Sequence, residues 1–375
     1  MLRYMTAGES HGKGMIAILD GVPAGLEVDE KFINRDLARR MVGYGRGKRM
    51  SIEKDAVEII GGCRKGVTIG SPVGVFIKNR DYKIDKLPDV TCPRPGHADL
   101  AGVQKYDLKD ARSVLERASA RETVARVAVG AVAKLVLREF GIRILSHVTM
   151  IGNIEAASAK LSFDEISKAA EGSIVRCADP EAGKKMCEEI DKAKKEGDTL
   201  GGAFEVIADG VPPGIGSYAQ WDRRMEGALA RAVMSIPAVK AVSVGNGIDC
   251  AASRGSETHD PIRYDKAKKI FVRLSNNAGG TEGGVTTGEP VVLKGFMKPI
   301  ATLGTPLRSV DLRTKAESRA ATERADVSAV PACGVVAEAA VAFEIAAAFL
   351  EKFGCDSMTE IKRNYEAYIG HLRRM

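Results

Sequence analysis

Short runs of β-branched and apolar residues, broken by glycine, dominate the hydrophobic pattern of the chain. They predict strands over 14–19, 56–61, 67–77, 203–208, 239–244, 269–275 and 290–297. The connections IIGGCRKGVTIGSPVG and SNNAGGTEGGVTTGEP lie beside these runs. Such glycine-rich links predict twisted strands with bulges and backbone that approaches a ligand closely. Elsewhere a helical period takes over. Asp29 stands as N-cap before a helix over 30–42, and 120–140 carries Val124, Val127, Ala128, Ala131 and Leu135 on one face before Gly141. Ser162 and Glu165 make a capping box for 163–171, and Asp179 with Pro180 opens 180–195. Helices over 219–235 and 335–353 complete the set, the last ending at Gly354. The run KKMCEEIDKAKK reads as a solvated helix face.

Strands and helices thus mix along the whole chain, an α/β pattern, and one segment echoes another. Asp20-Gly21-Val22-Pro23-Ala24-Gly25 returns as Asp209-Gly210-Val211-Pro212-Pro213-Gly214, each time after an apolar strand and before a helix. That spacing predicts a duplicated unit. No Pro/Ser linker divides the chain, so the expectation is one domain of two pseudo-symmetric halves, roughly 1–200 and 201–355.

Composition narrows the function. Lys plus Arg is 56 and Asp plus Glu 49, a net charge of +7, which suits an anionic substrate without demanding a nucleic acid. Aromatic residues are only 5 %, too few for base-stacking platforms, so no nucleic-acid partner is expected. The seven cysteines form no CxxC pair and read as reduced, mostly buried thiols of a cytoplasmic protein. The N-terminal MLRYMTAGESHG has no signal-like apolar run. Glu338, Glu344 and Glu351 interrupt the most apolar stretch, so no membrane partner is expected.

The commonest chemical signatures are missing. No GxGxxG follows a strand, and Gly43-Tyr44-Gly45-Arg46-Gly47-Lys48-Arg49 has the wrong spacing for a phosphate loop. HExxH, GxSxG and any close histidine pair are absent, so no metal site is expected.

Polar residues nevertheless gather on glycine loops. In Gly8-Glu9-Ser10-His11-Gly12 the glycines let backbone approach a ligand, and His11 can exchange a proton near neutral pH, although a simple turn histidine would look the same. Arg39 and Arg40 end a helix, where the macrodipole alone could explain them. Arg46 and Arg49 on the following loop better suit the bidentate grip of carboxylate or phosphate. Cys92-Pro93-Arg94-Pro95-Gly96-His97-Ala98-Asp99 presents His97 on a stiff loop with Asp99 close enough to orient the ring. In Arg117-Ala118-Ser119-Ala120-Arg121-Glu122-Thr123 a capping box of Ser119 and Glu122 opens a helix whose N-terminus, with Arg117 and Arg121, could take a phosphate. The last cluster is Arg324-Ala325-Asp326-Val327-Ser328, where Asp326 could simply pair with Arg324 or Arg319.

Taken together and in order, GESHG, RPGHAD, RASARET, SNNAGGTEGGVTTGEP, LKGFMKP and RADVSAVPA resemble the signature segments of the chorismate synthase family, from residue 3 to about 350. The resemblance implies a β-α-β sandwich with antiparallel sheets enclosed by helices, internally duplicated and assembled as a homotetramer. It implies a lyase that converts 5-enolpyruvylshikimate 3-phosphate to chorismate and phosphate by anti-1,4-elimination, the last step of the shikimate pathway towards the aromatic amino acids. Reduced FMN would be the cofactor with no net redox change, and NADPH would enter only if the protein reduced its own flavin. By motif, His11 and His97 would be the acid–base pair, protonating departing phosphate and flavin. Ser10 would support His11, and Asp326 would assist proton removal. Arg40, Arg46, Arg49 and Arg121 would grip the substrate. Flavin contacts would come from Arg117, Ala118, Ser119, Pro237, Ala238, Gly283, Lys298, Pro299, Ile300, Ala301, Thr302 and Arg324. Ala118, Pro237 and Ala325 depart from the residues usual in the family at those positions. A different flavin or phosphate-ester enzyme on the same scaffold is the alternative reading, and altered arginines would favour it.

Overall fold

The computed structural model describes residues 1–47, 54–157, 161–323 and 326–375. Its first sheet is formed by β1 (Arg3–Ala7), β2 (Gly14–Asp20), β3 (Val57–Gly61) and β4 (Val73–Lys78), in the order β1-β2-β4-β3. Its second contains β5 (Arg143–Ile151), β6 (Ile154–Glu155), β7 (Gly202–Asp209), β8 (Val239–Val244) and β9 (Val291–Met297), in the order β8-β9-β7-β5-β6. Every pairing in both sheets is antiparallel.

The longer helices are α1 (Glu30–Met41), α2 (Asp99–Tyr106), α3 (Arg112–Ala118), α4 (Thr123–Arg138), α5 (Phe163–Gly172), α6 (Pro180–Glu196), α7 (Met225–Met234), α8 (Val330–Phe353) and α9 (Met358–Leu372). Between the sheets lies a layer of α1, α4, α7 and α8, in which α4 packs on the first sheet and α8 on the second. Gly130 marks the crossing of α4 and α8: a Cβ there would stand 2.3 Å from that of Ala339. Only glycine lets the backbones come so close. Helix α8 is long and apolar enough to span a membrane by composition, but 78 % of its apolar window is buried against the other elements. Its apolar surface serves the core.

The two sheets follow one plan. Reading β5-β7-β9-β8 against β1-β2-β4-β3 gives the same order. The echoed DGVP turns are latched alike. Thr68 Oγ1 donates to Pro23 O (2.6 Å) and accepts from Leu26 N (2.9 Å). Thr286 Oγ1 donates to Pro212 O (2.7 Å) and accepts from Ile215 N (2.9 Å). Both threonines sit in matching segments, GGCRKGVTIGSPV over 61–73 and GGTEGGVTTGEPV over 279–291. This second echo was present in the sequence and is the stronger of the two.

Most predicted elements appear, with instructive changes. The 67–77 strand is broken into Val67–Thr68 and β4, because Gly70 is left-handed (φ +80°) and Pro72 has no N–H to give a ladder. The capping box at 162–165 and the Asp179 cap both form. The one at 119–122 does not. Ser119 caps Arg121 N across a 3₁₀ turn, while Glu122 turns to Thr6 and Arg126, so α4 begins at Thr123. Helix α7 starts only at Met225, after a 3₁₀ turn at Trp221–Arg223, and α8 starts earlier than predicted, at Val330, with Pro331 in its first turn. Of the cysteines, Cys177 and Cys333 are buried and the other five are half-buried, fewer buried than predicted.

Candidate functional site

Helices α4 and α8 bring their N-terminal ends to one cavity of about 450 Å³. Its wall collects loops that are far apart in sequence: Ser10 and His11, Arg40 and Arg46, His97, Ala118 to Arg121, Pro237 and Ala238, Lys298 with Ile300 to Thr302, and Asp326. Two helix N-termini and several guanidinium groups around one space favour an anion there.

The His11 loop is built rigidly. Asn79, at the end of β4, donates from Nδ2 to Glu9 O (3.0 Å), Ser10 O (3.2 Å) and Gly12 O (2.9 Å). Ser10 is buried, and its hydroxyl accepts from Ser119 Oγ at 3.1 Å. Beneath the ring, the buried Glu116 carboxylate accepts from His11 Nδ1 (2.9 Å) and from His11 N (2.7 Å). Burial pushes Glu116 upward, but these bonds and the nearby Arg112 outweigh it and hold the carboxyl below its ordinary range.

His97 is held in the same way. Its Nδ1 meets the buried Asp99, which also accepts from Arg94 Nε (2.8 Å) and Arg94 N (3.1 Å). Burial opposes the charge on Asp99, yet His97 and Arg94 hold it well below the usual carboxylate range. Arg94 continues to Thr302 Oγ1 at 2.8 Å. Each histidine has Nδ1 on a buried carboxylate, that of His97 also standing 3.1 Å from Arg94 Nη2, and Nε2 is the nitrogen left to meet a bound molecule.

The arginines are fixed by their own partners. Arg40 is buried and donates to Thr123 Oγ1 (2.9 Å) and Ala120 O (2.8 Å), with Asp55 at 3.8 Å from Nη1. Burial, aided by Arg46 and Arg121, lowers its pKa to about 10 despite Asp55. Arg121 bonds Asn79 Oδ1 (2.8 Å) and Asp55 Oδ1 (2.6 Å). Arg46 pairs with Asp326 at 2.7 Å, and Gly47 N donates to the same carboxylate at 2.6 Å. Asp326 thus finds its cation on the 43–47 loop. Arg49 and Arg324 lie outside the described residues.

Three anticipated contacts stand apart from the cavity wall. Arg117 turns back to Gly8 O (3.0 Å) and Thr6 O (3.1 Å), Pro299 sits between two lining residues, and Gly283 is at the tip of the 281–286 hairpin. Asn79, Asp55, Glu116 and Arg94 escaped the sequence reading. Each works through a partner distant in sequence or hidden beneath a motif histidine, and Arg94 alone lay within a motif already marked.

Two histidines on carboxylate supports, beside a space rimmed by fixed arginines, make a site suited to acid–base chemistry on a small anionic molecule. The model of the family described as chorismate synthase matches residues 2–350. A chorismate synthase of Desulforudis audaxviator is 54 % identical, covering 100 % of this chain and 98 % of the relative. One from Geobacillus kaustophilus is 53 % identical over 97 % and 98 %. A crystal structure of chorismate synthase superimposes with a TM-score of 0.83 at 43 % identity, covering 100 % of this chain and 99 % of the other. The chain belongs to the chorismate synthase family, lyases of the shikimate pathway.

Proposed function

We propose that the cavity binds 5-enolpyruvylshikimate 3-phosphate beside reduced FMN and eliminates phosphate and a proton to give chorismate. The observation that carries this reading is the convergence of His11, His97, Asp326 and three arginines on one cavity. Arg40, Arg46 and Arg121 bind the phosphate and carboxylates, with Arg49 carried over by motif. Their ion pairs hold the guanidinium groups in place before substrate arrives, so little ordering remains to be done on binding. His11 and His97 hold or give a proton at Nε2, Ser10 steadies the His11 loop, and Asp326, paired with Arg46, assists removal of the proton from the substrate ring.

The residues also suit a flavin. Ala118, Ala238 and Ala301 bring small side chains to the cavity lining, and Gly96 lies beside Lys298 there. Lys298, tied to Gly96 O at 2.8 Å, offers the cation for a phosphate tail, and Ser119, Pro237, Ile300 and Thr302 border the same wall. Arg117, Pro299, Gly283 and Arg324 are carried over by motif alone, the first three standing apart from this lining. When bound, reduced FMN lends electron density to the allylic system as the phosphate leaves.

The protein works in the cytoplasm as a homotetramer. Met5, Ile16, Ile18 and Ile60 make an exposed apolar face on the first sheet, in keeping with a second copy laid over it. The chain is one unit of two pseudo-symmetric halves, and the matching sheet orders favour starting the second half at β5. Anaerobic turnover with chemically reduced FMN tests the reading: chorismate and phosphate should appear in equal amounts, and only with reduced flavin. Folded, flavin-bound protein that yields neither would show that the scaffold serves another substrate.

A further inference from the structure

The carboxylate beneath His11 takes two donors from the same residue. Glu116 Oε2 accepts the backbone N–H of His11 at 2.7 Å, and Oε1 accepts ring Nδ1 at 2.9 Å. Glu116 lies in α3 and is fully buried. The backbone N–H is a permanent donor, so one oxygen of the side chain is always engaged. The other oxygen can only accept, which forces the ring proton of neutral His11 onto Nδ1.

We infer that Glu116 is the positioning residue that fixes the tautomer of His11, and that an amide at this position would reverse it. The inference rests on His11 being an acid–base group. A glutamine has one acceptor and one donor end. Its oxygen must face the backbone N–H, so its NH₂ faces Nδ1 and makes that nitrogen the acceptor. The ring proton then moves to Nε2, and the imidazolium that gives a proton there is disfavoured, because a protonated Nδ1 would face the amide N–H donor to donor.

Other charged groups around the ring do not impose this choice. Asp81, on the loop after β4, stands 3.7 Å from Nε2, beyond hydrogen-bond reach, and is itself paired with Lys83 at 2.9 Å. Arg112 touches Glu116 Oε1 at 3.4 Å and Glu323 at 3.1 Å, so it supports the carboxylate rather than the imidazole. Glu9 is on the loop of His11 itself, and Arg40, Arg46, Arg121 and Asp326 line the same cavity.

The test is nitrogen NMR of the flavin-free, substrate-free protein, whose five histidines are few enough to assign with a His11→Asn variant. Neutral His11 should carry its proton on Nδ1 in the wild type and on Nε2 in Glu116→Gln. In the enzyme loaded with flavin and substrate, that variant should lose about 100-fold in kcat with little change in KM. Glu116→Asp, which keeps two acceptor oxygens, should retain the Nδ1 proton. An Nδ1 proton in folded Glu116→Gln, or an Nε2 proton in Glu116→Asp, would overturn the assignment. Reversal of the tautomer in a protein that makes no chorismate would uphold the positioning role and sink the proposed reaction instead.

Discussion

Arg39 and Glu338 meet through two parallel bonds of 2.8 Å, joining the end of α1 to the middle of α8 in the core. Lys134 Nζ (2.7 Å) and Ser146 Oγ (2.7 Å) bond the same carboxylate, and Asp36 balances the cations at 2.7 Å from Lys134. Burial disfavours the charge on Glu338, but Arg39 and Lys134 hold it well below the ordinary range. Breaking a buried pair from one side leaves uncompensated charge. Glu338→Gln should therefore cost about 3–5 kcal/mol, read by denaturant unfolding. A loss below about 1 kcal/mol would mean that the cluster relaxes around the amide.

The same logic sets the acid limit of stability. Glu338, Asp99 and Glu116 all have carboxyls held below their unfolded values. Such groups contribute their full stability above about pH 4–5, where the unfolded chain is also ionised, and lose it as pH falls towards their folded values. The unfolding free energy should be level near neutrality and drop below about pH 4. Asp99→Asn should make that drop shallower, measured by unfolding at a series of pH values.

His11→Ala and His97→Ala should keep the fold and lose about 10²–10⁴ in kcat. Steady-state turnover with reduced FMN, beside far-UV circular dichroism, checks both. Full activity in either variant would remove that histidine from the chemistry.

Asn79 ties three carbonyls of the His11 loop to Arg121. Asn79→Ala should lower kcat/KM by about 10–100-fold, by loosening His11 and Arg121 together. Comparing this variant with Asn79→Ala/His11→Ala tests the coupling: losses that multiply independently would show that the loop does not act through His11.

Ile18 lies opposite Met5 on the bare face of the first sheet. Ile18→Glu should break the assembly into smaller species, read by light scattering after gel filtration. An unchanged mass would place the contact between copies elsewhere.

Much of the fold was legible one element at a time. Helices such as 163–172 and 180–196 have caps and periods written locally, because their stabilising bonds close within four residues. The strands β1 and β5 were missed. Their partners, β2 and β7, lie at the sheet centres, and β1 shows too few apolar residues to announce itself. The site divides in the same manner. The sequence by itself determined which residues are candidates for the chemistry, since His11, His97 and Arg46 stand on glycine-bearing loops and Arg40, Arg121 and Asp326 in compact polar segments. Only the tertiary structure decided what holds them. Glu116 reaches His11 across 105 residues, Asn79 reaches Arg121 across 42, and Arg46 reaches Asp326 from a loop far away in the sequence. Those contacts exist because antiparallel sheets and the close approach of α4 and α8 at Gly130 bring distant loops to one end of the helical layer. Local patterning carries no record of such closure.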